Sequence, residues 1–154
     1  MRLHIFKFTC GNCGCDFKSP KMSFDTYGEF LLRNNEGDLA YLDGISDPVY
    51  QEVEDLLKQL PALQNKSAVV LAEFLRKVFG VACDPDAKGN LFSIGGDPVC
   101  PSCGERNASY WEATEPPEYL EIELPAVTHK KWFRLSEPEK LSLLANELNL
   151  GFKS

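Results

Sequence analysis

The chain has 154 residues, of which 44% are hydrophobic and 25% charged, and its formal net charge is −7. This length predicts one domain with its own apolar core, in which roughly 70% of the unfolded surface becomes buried. The acidic balance argues against general nucleic-acid binding, because phosphate counterion release rewards basic surfaces. Charges interrupt the first seven residues and no apolar run approaches the length of a membrane span, so we expect a cytoplasmic protein without a secretion signal or membrane contact.

Alternating apolar residues and turn residues predict the elements in the first third of the chain. Residues 2–8 predict a strand. Residues 30–33 and 39–42 predict a hairpin, because the Asn- and Gly-rich segment between them tolerates positive φ. Asp47 as N-cap and Pro48 at the first position predict a helix that runs to about residue 60.

The second half of the chain predicts further helices and strands. A helix from about residue 67 to 79 is apolar on most sides, so we expect it to be buried, with Gly80 just beyond its end. Residues 91–94 and the strictly alternating residues 119–124 predict strands. A final helix begins near residue 136, and Gly151 is expected to end it. Its apolar stripe consists of Leu141, Leu144, Ala145 and Leu148.

Two cysteine motifs, which we call the knuckles, lie far apart in the chain. They are Cys10-Gly11-Asn12-Cys13-Gly14 and Cys100-Pro101-Ser102-Cys103-Gly104. A two-residue spacer lets one tight turn direct both sulfur atoms to one point, and two such pairs supply the four thiolates of a tetrahedral metal site. The glycine after each second cysteine can take a positive φ and turn backbone amides toward sulfur. The predicted metal ligands are Cys10, Cys13, Cys100 and Cys103.

The knuckle pattern resembles the zinc ribbon, in which two Cys-x-x-Cys-Gly knuckles lie at the tips of β-hairpins. The stretch Val99–Gly104 also resembles the second knuckle of rubredoxins, which hold one iron. The resemblance covers only residues 5–18 and 97–112, and the chain departs from it in one respect. Between Cys13 and Cys100 lie 86 residues, whereas paired zinc knuckles are usually about 12–20 residues apart.

Four protein thiolates leave no open position for a catalytic water, so the predicted metal is structural, or carries electrons if it is iron. Zinc is favoured over iron, because the long insertion suits a structural metal better than an electron carrier. A structural metal would hold the two ends of the insertion together, and we call such a site a metal clamp. The chain lacks a Ser/His/Asp triad, a phosphate loop and a paired-carboxylate motif, which favours a protein that is not an enzyme.

The other two cysteines have weaker assignments. Six cysteines without a secretion signal indicate a reducing compartment and metal rather than disulfides. Cys15 follows the first knuckle directly and is expected to be a bystander, with a role as a competing ligand or a reactive thiol left open. Cys83 is expected to be a small core residue.

Of the two histidines, His4 and His129, His4 is expected to pack rather than to catalyse. His4 alternates with Phe6 and Phe8 on the predicted first strand. His129 opens the segment 129–134, which mixes cations with aromatic residues and could track a phosphate backbone and stack bases. We favour the alternative that this segment is an edge strand with Trp132 in the core.

The predicted fold class is α+β in a single domain, residues 1–154. A zinc-ribbon-like β core would come from residues 1–27 and 90–125, with a hairpin and helix pair inserted at 28–89 and a C-terminal strand and helix at 126–154. The expected function is a structural zinc-binding module that contacts another protein. The alternatives are a nucleic-acid-binding zinc ribbon and a rubredoxin-like electron carrier. Acidic residues of the insertion are expected to set partner choice, among them Glu52, Asp55 and Asp86.

Overall fold

The structure is a computed structural model that describes residues 1–22 and 27–153, with side chains described up to residue 149. Residues 23–26, which the sequence analysis assigns to the ribbon, lie outside the described residues. Within the described part the chain is an α+β protein with three α-helices and two antiparallel three-stranded sheets. Its elements in chain order are β1 (Arg2–Cys10), β2 (Asp16–Lys21), β3 (Glu29–Arg33), β4 (Leu39–Asp43), α1 (Pro48–Gln59), α2 (Ala68–Val78), β5 (Ser93–Ile94), β6 (Ala108–Glu121) and α3 (Glu137–Lys153).

The first sheet, which we call the knuckle sheet, has the strand order β2-β1-β6. The strand predicted at residues 2–8 is confirmed and extends to Cys10. Of the strand predicted at residues 119–124, residues 119–121 form the end of the much longer β6, and the prediction is wrong for residues 122–124, which lie beyond it. Ile5 pairs with Glu118 but Phe6 pairs with Ala113, so the residues between those two partners bulge out of the ladder. This bulge contains two prolines, which cannot donate ladder hydrogen bonds.

The second sheet, which we call the body sheet, has the order β4-β3-β5. The predicted hairpin is confirmed, with Leu32 opposite Ala40. The strand predicted at residues 91–94 shortens to two residues and pairs with β3. The body sheet and the helices, which together we call the body, share one buried cluster that includes Leu42, Val53 and Trp132. Leu3, Phe6 and Phe8 of β1 are also buried but lie outside that cluster, so the knuckle sheet has a small core of its own.

Local capping explains where α1 and α2 begin. The Asp47 carboxylate accepts a hydrogen bond from the Val49 amide at 2.9 Å, which confirms the predicted N-cap of α1. Ser67 caps α2 in the same way. The expectation that α2 is buried on most sides is wrong for Val69, which is 70% exposed. Gly80 does not end α2 with a positive φ but lies in the following 3-10 turn, where an added Cβ would lie 2.0 Å from the carbonyl oxygen of Phe92.

The last helix, α3, begins with a capping box. The Glu139 amide donates to the Ser136 hydroxyl, and the Glu139 carboxylate accepts from the Ser136 amide. Leu144 and Leu148 are buried, as predicted. The predicted end at Gly151 is wrong, because the helix continues to Lys153. No helix in residues 1–22 or 27–153 has the length and apolar character needed to cross a membrane.

The segment before α3 attaches the end of the chain to the body. Val127 and Pro125 exchange backbone hydrogen bonds with Tyr41 of β4, and Ala126 forms a single parallel bridge to it. The edge strand expected at residues 129–134 is wrong, because residues 132–134 form a 3-10 turn. Trp132 is only 2% exposed, so its predicted place in the core is confirmed.

Candidate metal centre

The pairing of β1 with β6 brings the two knuckles to the same end of the knuckle sheet. Cys10 is the last residue of β1 and pairs with Ala108, the first residue of β6. The first knuckle therefore lies at the tip of the β1–β2 hairpin, while the second precedes β6 directly. Because the two strands are antiparallel, the end of one and the start of the other must meet.

The two knuckles have the same backbone geometry. The Gly14 amide donates to the carbonyl oxygen of Cys10 at 2.9 Å, and the Gly104 amide donates to that of Cys100 at 2.9 Å. The amide of each first cysteine donates to a carbonyl oxygen five residues later, at Cys15 and Glu105 respectively. Gly14 and Gly104 have φ of 77° and 78°, a left-handed conformation that glycine adopts without strain. Local sequence thus builds two equivalent turns.

The four predicted ligand sulfurs form one cluster, in which every Sγ lies within 4.8 Å of every other. The Sγ atoms of Cys10 and Cys103 are 3.6 Å apart, and those of Cys13 and Cys100 are also 3.6 Å apart. Metal–sulfur bonds of about 2.3 Å in a tetrahedron require sulfur atoms about 3.8 Å apart. Disulfide bonds require a separation of about 2.05 Å. The cluster therefore fits a tetrahedral metal ion and not a pair of disulfides.

The cluster has a buried side and an exposed side. Cys10 and Cys100 are 3% and 1% exposed, whereas Cys13 and Cys103 are exposed. A backbone amide reaches one of the buried sulfurs, since Asn12 N–H donates to Cys10 Sγ at 3.4 Å. Such amide donors stabilise thiolate charge in metal sites. The cluster can therefore hold a metal ion at the surface end of the sheet with two of its ligands fixed in the interior.

The electrostatic surroundings give two thiols of the cluster very different pKa values. The Asn12 side chain, a backbone hydrogen bond at Glu105 and neighbouring thiols lower the pKa of Cys103 to about 6. A backbone hydrogen bond at Cys15 lowers the pKa of Cys13, but desolvation and the neighbouring thiols outweigh it and raise that pKa to about 12. Thiols this close cannot all ionise unless a cation shares their charge.

Residues beside the knuckles fix the second turn against the first. The Gly11 amide donates to the carbonyl oxygen of Asn107 at 2.6 Å. The Asp97 carboxylate accepts from the Ala108 amide at 2.9 Å, and the Asp97 carbonyl oxygen accepts from Arg106 Nε at 2.9 Å. This positioning role of Asp97 was not predicted from the sequence. Its position just before a knuckle, next to Pro98, is the only signal in the sequence that could have identified it.

Cys15 and Cys83 do not belong to the four-sulfur cluster. The Cys15 thiol donates to the carbonyl oxygen of Asp16 at 3.4 Å. Cys83 is 4% exposed and packs in the body, which confirms its predicted place in the core. Burial and the nearby carboxylates of Asp47 and Asp84 raise the pKa of its thiol to about 12. Cys83 is therefore a structural residue.

Both histidines pack against aromatic rings, and for His4 this confirms the prediction. The His4 ring stacks on Tyr119 with centroids 4.9 Å apart. His129 is 7% exposed, and its Nδ1 and Nε2 lie 2.7 Å from the carbonyl oxygen of Ala82 and 2.6 Å from the Asp47 carboxylate. Both ring nitrogens therefore have a polar partner inside the fold.

Hydrogen bonds hold the 129–134 segment against the rest of the body. Trp132 Nε1 donates to Glu52 at 2.9 Å, and Lys140 Nζ donates to the other oxygen of the same carboxylate at 2.7 Å. The backbone amides of Lys130 and Lys131 donate to Asp84. Glu52 is therefore engaged within the fold. Lys130, Lys131, Phe133 and Arg134 remain exposed.

Comparison of the chain with protein-family models, with curated proteins and with solved structures finds no match in any of the three.

Proposed function

We propose that the chain is a structural zinc-binding protein of the cytoplasm, whose four-cysteine site closes a zinc-ribbon-like β unit around a long insertion. The insertion, residues 28–89, would present a surface to another protein. When bound, zinc would supply a divalent charge that four thiolates share. The chain's own residues form the two turns, carry the insertion and shape its surface.

The observation that supports metal binding most strongly is the equivalence of the two knuckles. Two turns with the same hydrogen bonds and positive-φ glycines hold four sulfur atoms within 4.8 Å of one another. Four uncharged thiols gain little from such an arrangement. Four thiolates around one zinc gain several strong bonds, roughly 10–16 kcal/mol in small zinc-finger peptides near neutral pH.

The protein-contact role is supported by the surface of the insertion. Ile45 and Val69 are 68% and 70% exposed. Residues 28–89 also carry 11 acidic and 6 basic side chains, so the contact would combine apolar area with negative charge. Of the acids expected to choose the partner, Glu52 binds Trp132 and Lys140, and Asp86 binds Asn34 and Asn90. Within the described part of the chain, Asp55 is bonded only to its helical neighbour Gln51, and it remains exposed.

A binding experiment with paired variants tests the contact. Asp55→Lys and Val69→Asp change exposed side chains, so zinc content and melting temperature should stay at wild-type values while a partner captured from native extract is lost. Lys131→Glu, a charge change outside the insertion, is the matched control. Retention of every partner by both insertion variants, with loss in the control, would contradict the proposed role of the insertion.

A rubredoxin-like iron site is the second candidate, and the exposure of Cys13 and Cys103 favours it. An electron carrier needs part of its metal site near the surface, and two ligands of this site are exposed. Iron–thiolate proteins are red, whereas zinc–thiolate proteins are colourless, so an absorption spectrum separates the candidates. Nucleic-acid binding through residues 129–134 is less favoured, because His129 and Trp132 are buried in the body.

A further inference from the structure

A second candidate site lies where the knuckle sheet meets the body sheet, between the end of β2 and strand β3. A cavity of about 270 Å³ opens there. Its lining consists of Lys21, Met22, Glu29, Phe30, Leu31, Arg33, Ile94, Gly95 and Gly96. Arg106 adjoins the wall, because a Cβ added to Gly96 would lie 3.1 Å from Arg106 Nη2.

Arg33 is the unusual residue of this cavity. It is 5% exposed, and among the described residues its guanidinium donates to uncharged oxygen atoms only, the Ser19 hydroxyl and the carbonyl of Pro20. Burial and the neighbouring Arg106 lower its pKa to about 10, although the Asp97 carboxylate opposes this shift. A guanidinium has five N–H donors, and a buried charge that no carboxylate contacts directly is costly. The position therefore favours an anion beside it.

Two more cations nearby lack a carboxylate partner among the described residues. Arg106 donates to the carbonyl oxygen of Asp97 and to the side-chain oxygen of Asn35. Lys21 Nζ lies 3.9 Å from the centroid of the Trp111 ring. No described carboxylate oxygen lies within 4.0 Å of the charged nitrogens of Lys21, Arg33 or Arg106, although the whole chain carries a charge of −7.

The described acids of this region are fewer than its three cations, Lys21, Arg33 and Arg106. Glu29 lines the cavity, but its carboxylate accepts from the Tyr41 hydroxyl at 2.5 Å. Glu29 and Arg33 are four residues apart on one strand, which separates their Cα atoms by about 13 Å. Asp97 is the other acid: its carboxylate acts electrostatically on Lys21 and Arg33 and accepts from the Ala108 amide. Among the described residues, the three cations therefore exceed the two carboxylates of Glu29 and Asp97 by one positive charge.

We propose that this cavity binds a tetrahedral oxyanion, the phosphate group of a small molecule or free phosphate, between Lys21 and Arg33. Arg33 offers a planar pair of donors that matches two oxygens of such a group, and Lys21 adds a mobile third donor. A phosphate ion has five non-hydrogen atoms, which need about 150 Å³ if each takes the volume of a liquid water. The remaining space accepts part of the molecule that carries the phosphate.

Calorimetric titration with inorganic phosphate at constant ionic strength tests the site, with sulfate, acetate and glycerol phosphate as comparison ligands. We expect saturable binding of phosphate, equal or tighter binding of glycerol phosphate if the ligand is a phosphomonoester, and no binding of acetate. Lys21→Gln should weaken phosphate binding by about tenfold, the effect of one charged contact. Lys131→Gln removes an exposed lysine elsewhere and should leave the affinity unchanged.

Trp111 provides a local readout, because Lys21 lies over its ring. Phosphate should change the tryptophan fluorescence of the wild type, and Trp111→Phe should abolish that change but keep the calorimetric binding. Arg33→Lys retains the charge without the planar donor pair and should weaken binding further if it folds. Absence of saturable phosphate binding in the wild type would overturn the proposal. So would equal affinities for the wild type and Lys21→Gln, which would place the anion elsewhere.

Discussion

The sulfur atoms of Cys10 and Cys103 lie 3.6 Å apart although the two residues are 93 positions apart in the chain. Joining the knuckles across 86 residues instead of about 15 costs only roughly 1.5 kcal/mol of extra loop entropy, at about 0.6 kcal/mol per doubling. A metal site stabilises the closed form by far more than that. A long insertion is therefore compatible with a metal clamp.

Removing one ligand should open the clamp. Cys103→Ser is expected to lower zinc content well below one per chain and to lower the melting temperature by about 10 °C or more, since each 1 kcal/mol corresponds to about 2–4 °C at this size. Zinc analysis and thermal unfolding of the same sample provide both values. Cys15→Ser is the matched control, because Cys15 lies beside the cluster but outside it. A Cys103→Ser protein with wild-type zinc and stability would exclude this residue as a ligand.

Two glycines should respond differently to alanine. Gly104 has φ of 78° and no atom within 4 Å of an added Cβ, so Gly104→Ala should cost only the conformational strain, about 1 kcal/mol. At Gly80 an added Cβ would meet the carbonyl oxygen of Phe92 at 2.0 Å, so Gly80→Ala should cost about 3 kcal/mol or more. Urea unfolding of the zinc-bound proteins measures the loss of unfolding free energy in each variant. The reverse order of the two losses would contradict the described backbone.

His129 should contribute substantially to the stability of the body. His129→Ala removes the ring nitrogens that lie 2.6 Å from the Asp47 carboxylate and 2.7 Å from the carbonyl oxygen of Ala82, and leaves both groups without that partner. The free energy of unfolding should fall by about 2–4 kcal/mol. Lys130→Ala, at the exposed neighbouring position, should change it by less than about 0.5 kcal/mol. Similar losses for the two variants would indicate that the buried contacts of His129 do not stabilise the protein.

The Glu52 and Asp84 carboxylates predict a loss of stability in acid. Desolvation alone would raise the pKa of Glu52, but the bonds from Lys140 and Trp132 outweigh it and lower that pKa. Desolvation is likewise outweighed at Asp84, where Thr128 and two backbone amides lower the pKa. A lowered pKa stabilises the folded state above the unfolded pKa of about 4, and this stabilisation disappears as the pH falls through the folded value.

Urea unfolding across that acid range measures the contribution of Glu52. Glu52→Gln should be less stable than the wild type at neutral pH and should lose less on acidification below about pH 4.5. Glu73→Gln, an exposed carboxylate on α2, is the control and should keep the wild-type slope. Parallel pH curves for wild type and Glu52→Gln would show that the bonds to Lys140 and Trp132 do not favour the ionised carboxylate.

Local sequence signals predicted several parts of this fold, because the physics that determines them is local. The Asp47 cap, the β3–β4 hairpin and the buried stripe of α3 depend on residues a few positions apart. The clustering of the knuckle cysteines also followed from spacing, since each pair forms its own turn. The cysteine spacing does not separate zinc from iron, because both metals are held by four thiolates.

Long-range contacts determined the parts that sequence reasoning missed. The first half of β6 lacks a strict alternation of apolar and polar residues and is followed by two prolines, so its pairing with β1 is what defines it as a strand. Position 80 requires glycine because the backbone of Phe92 approaches it closely, and not because a helix ends there. Residues 132–134 form a turn because Trp132 inserts between the helices and bonds to Glu52, which periodicity alone does not reveal.

Elemental analysis of protein purified without added metal, combined with its absorption spectrum, tests the central claim most directly. We expect one zinc per chain, no visible absorption, and release of that zinc only when the thiols of Cys10, Cys13, Cys100 and Cys103 are modified. A red protein with one iron per chain would replace zinc by the rubredoxin-like alternative. A folded, stable protein with no bound metal and four freely titrating knuckle thiols would contradict a metal clamp altogether.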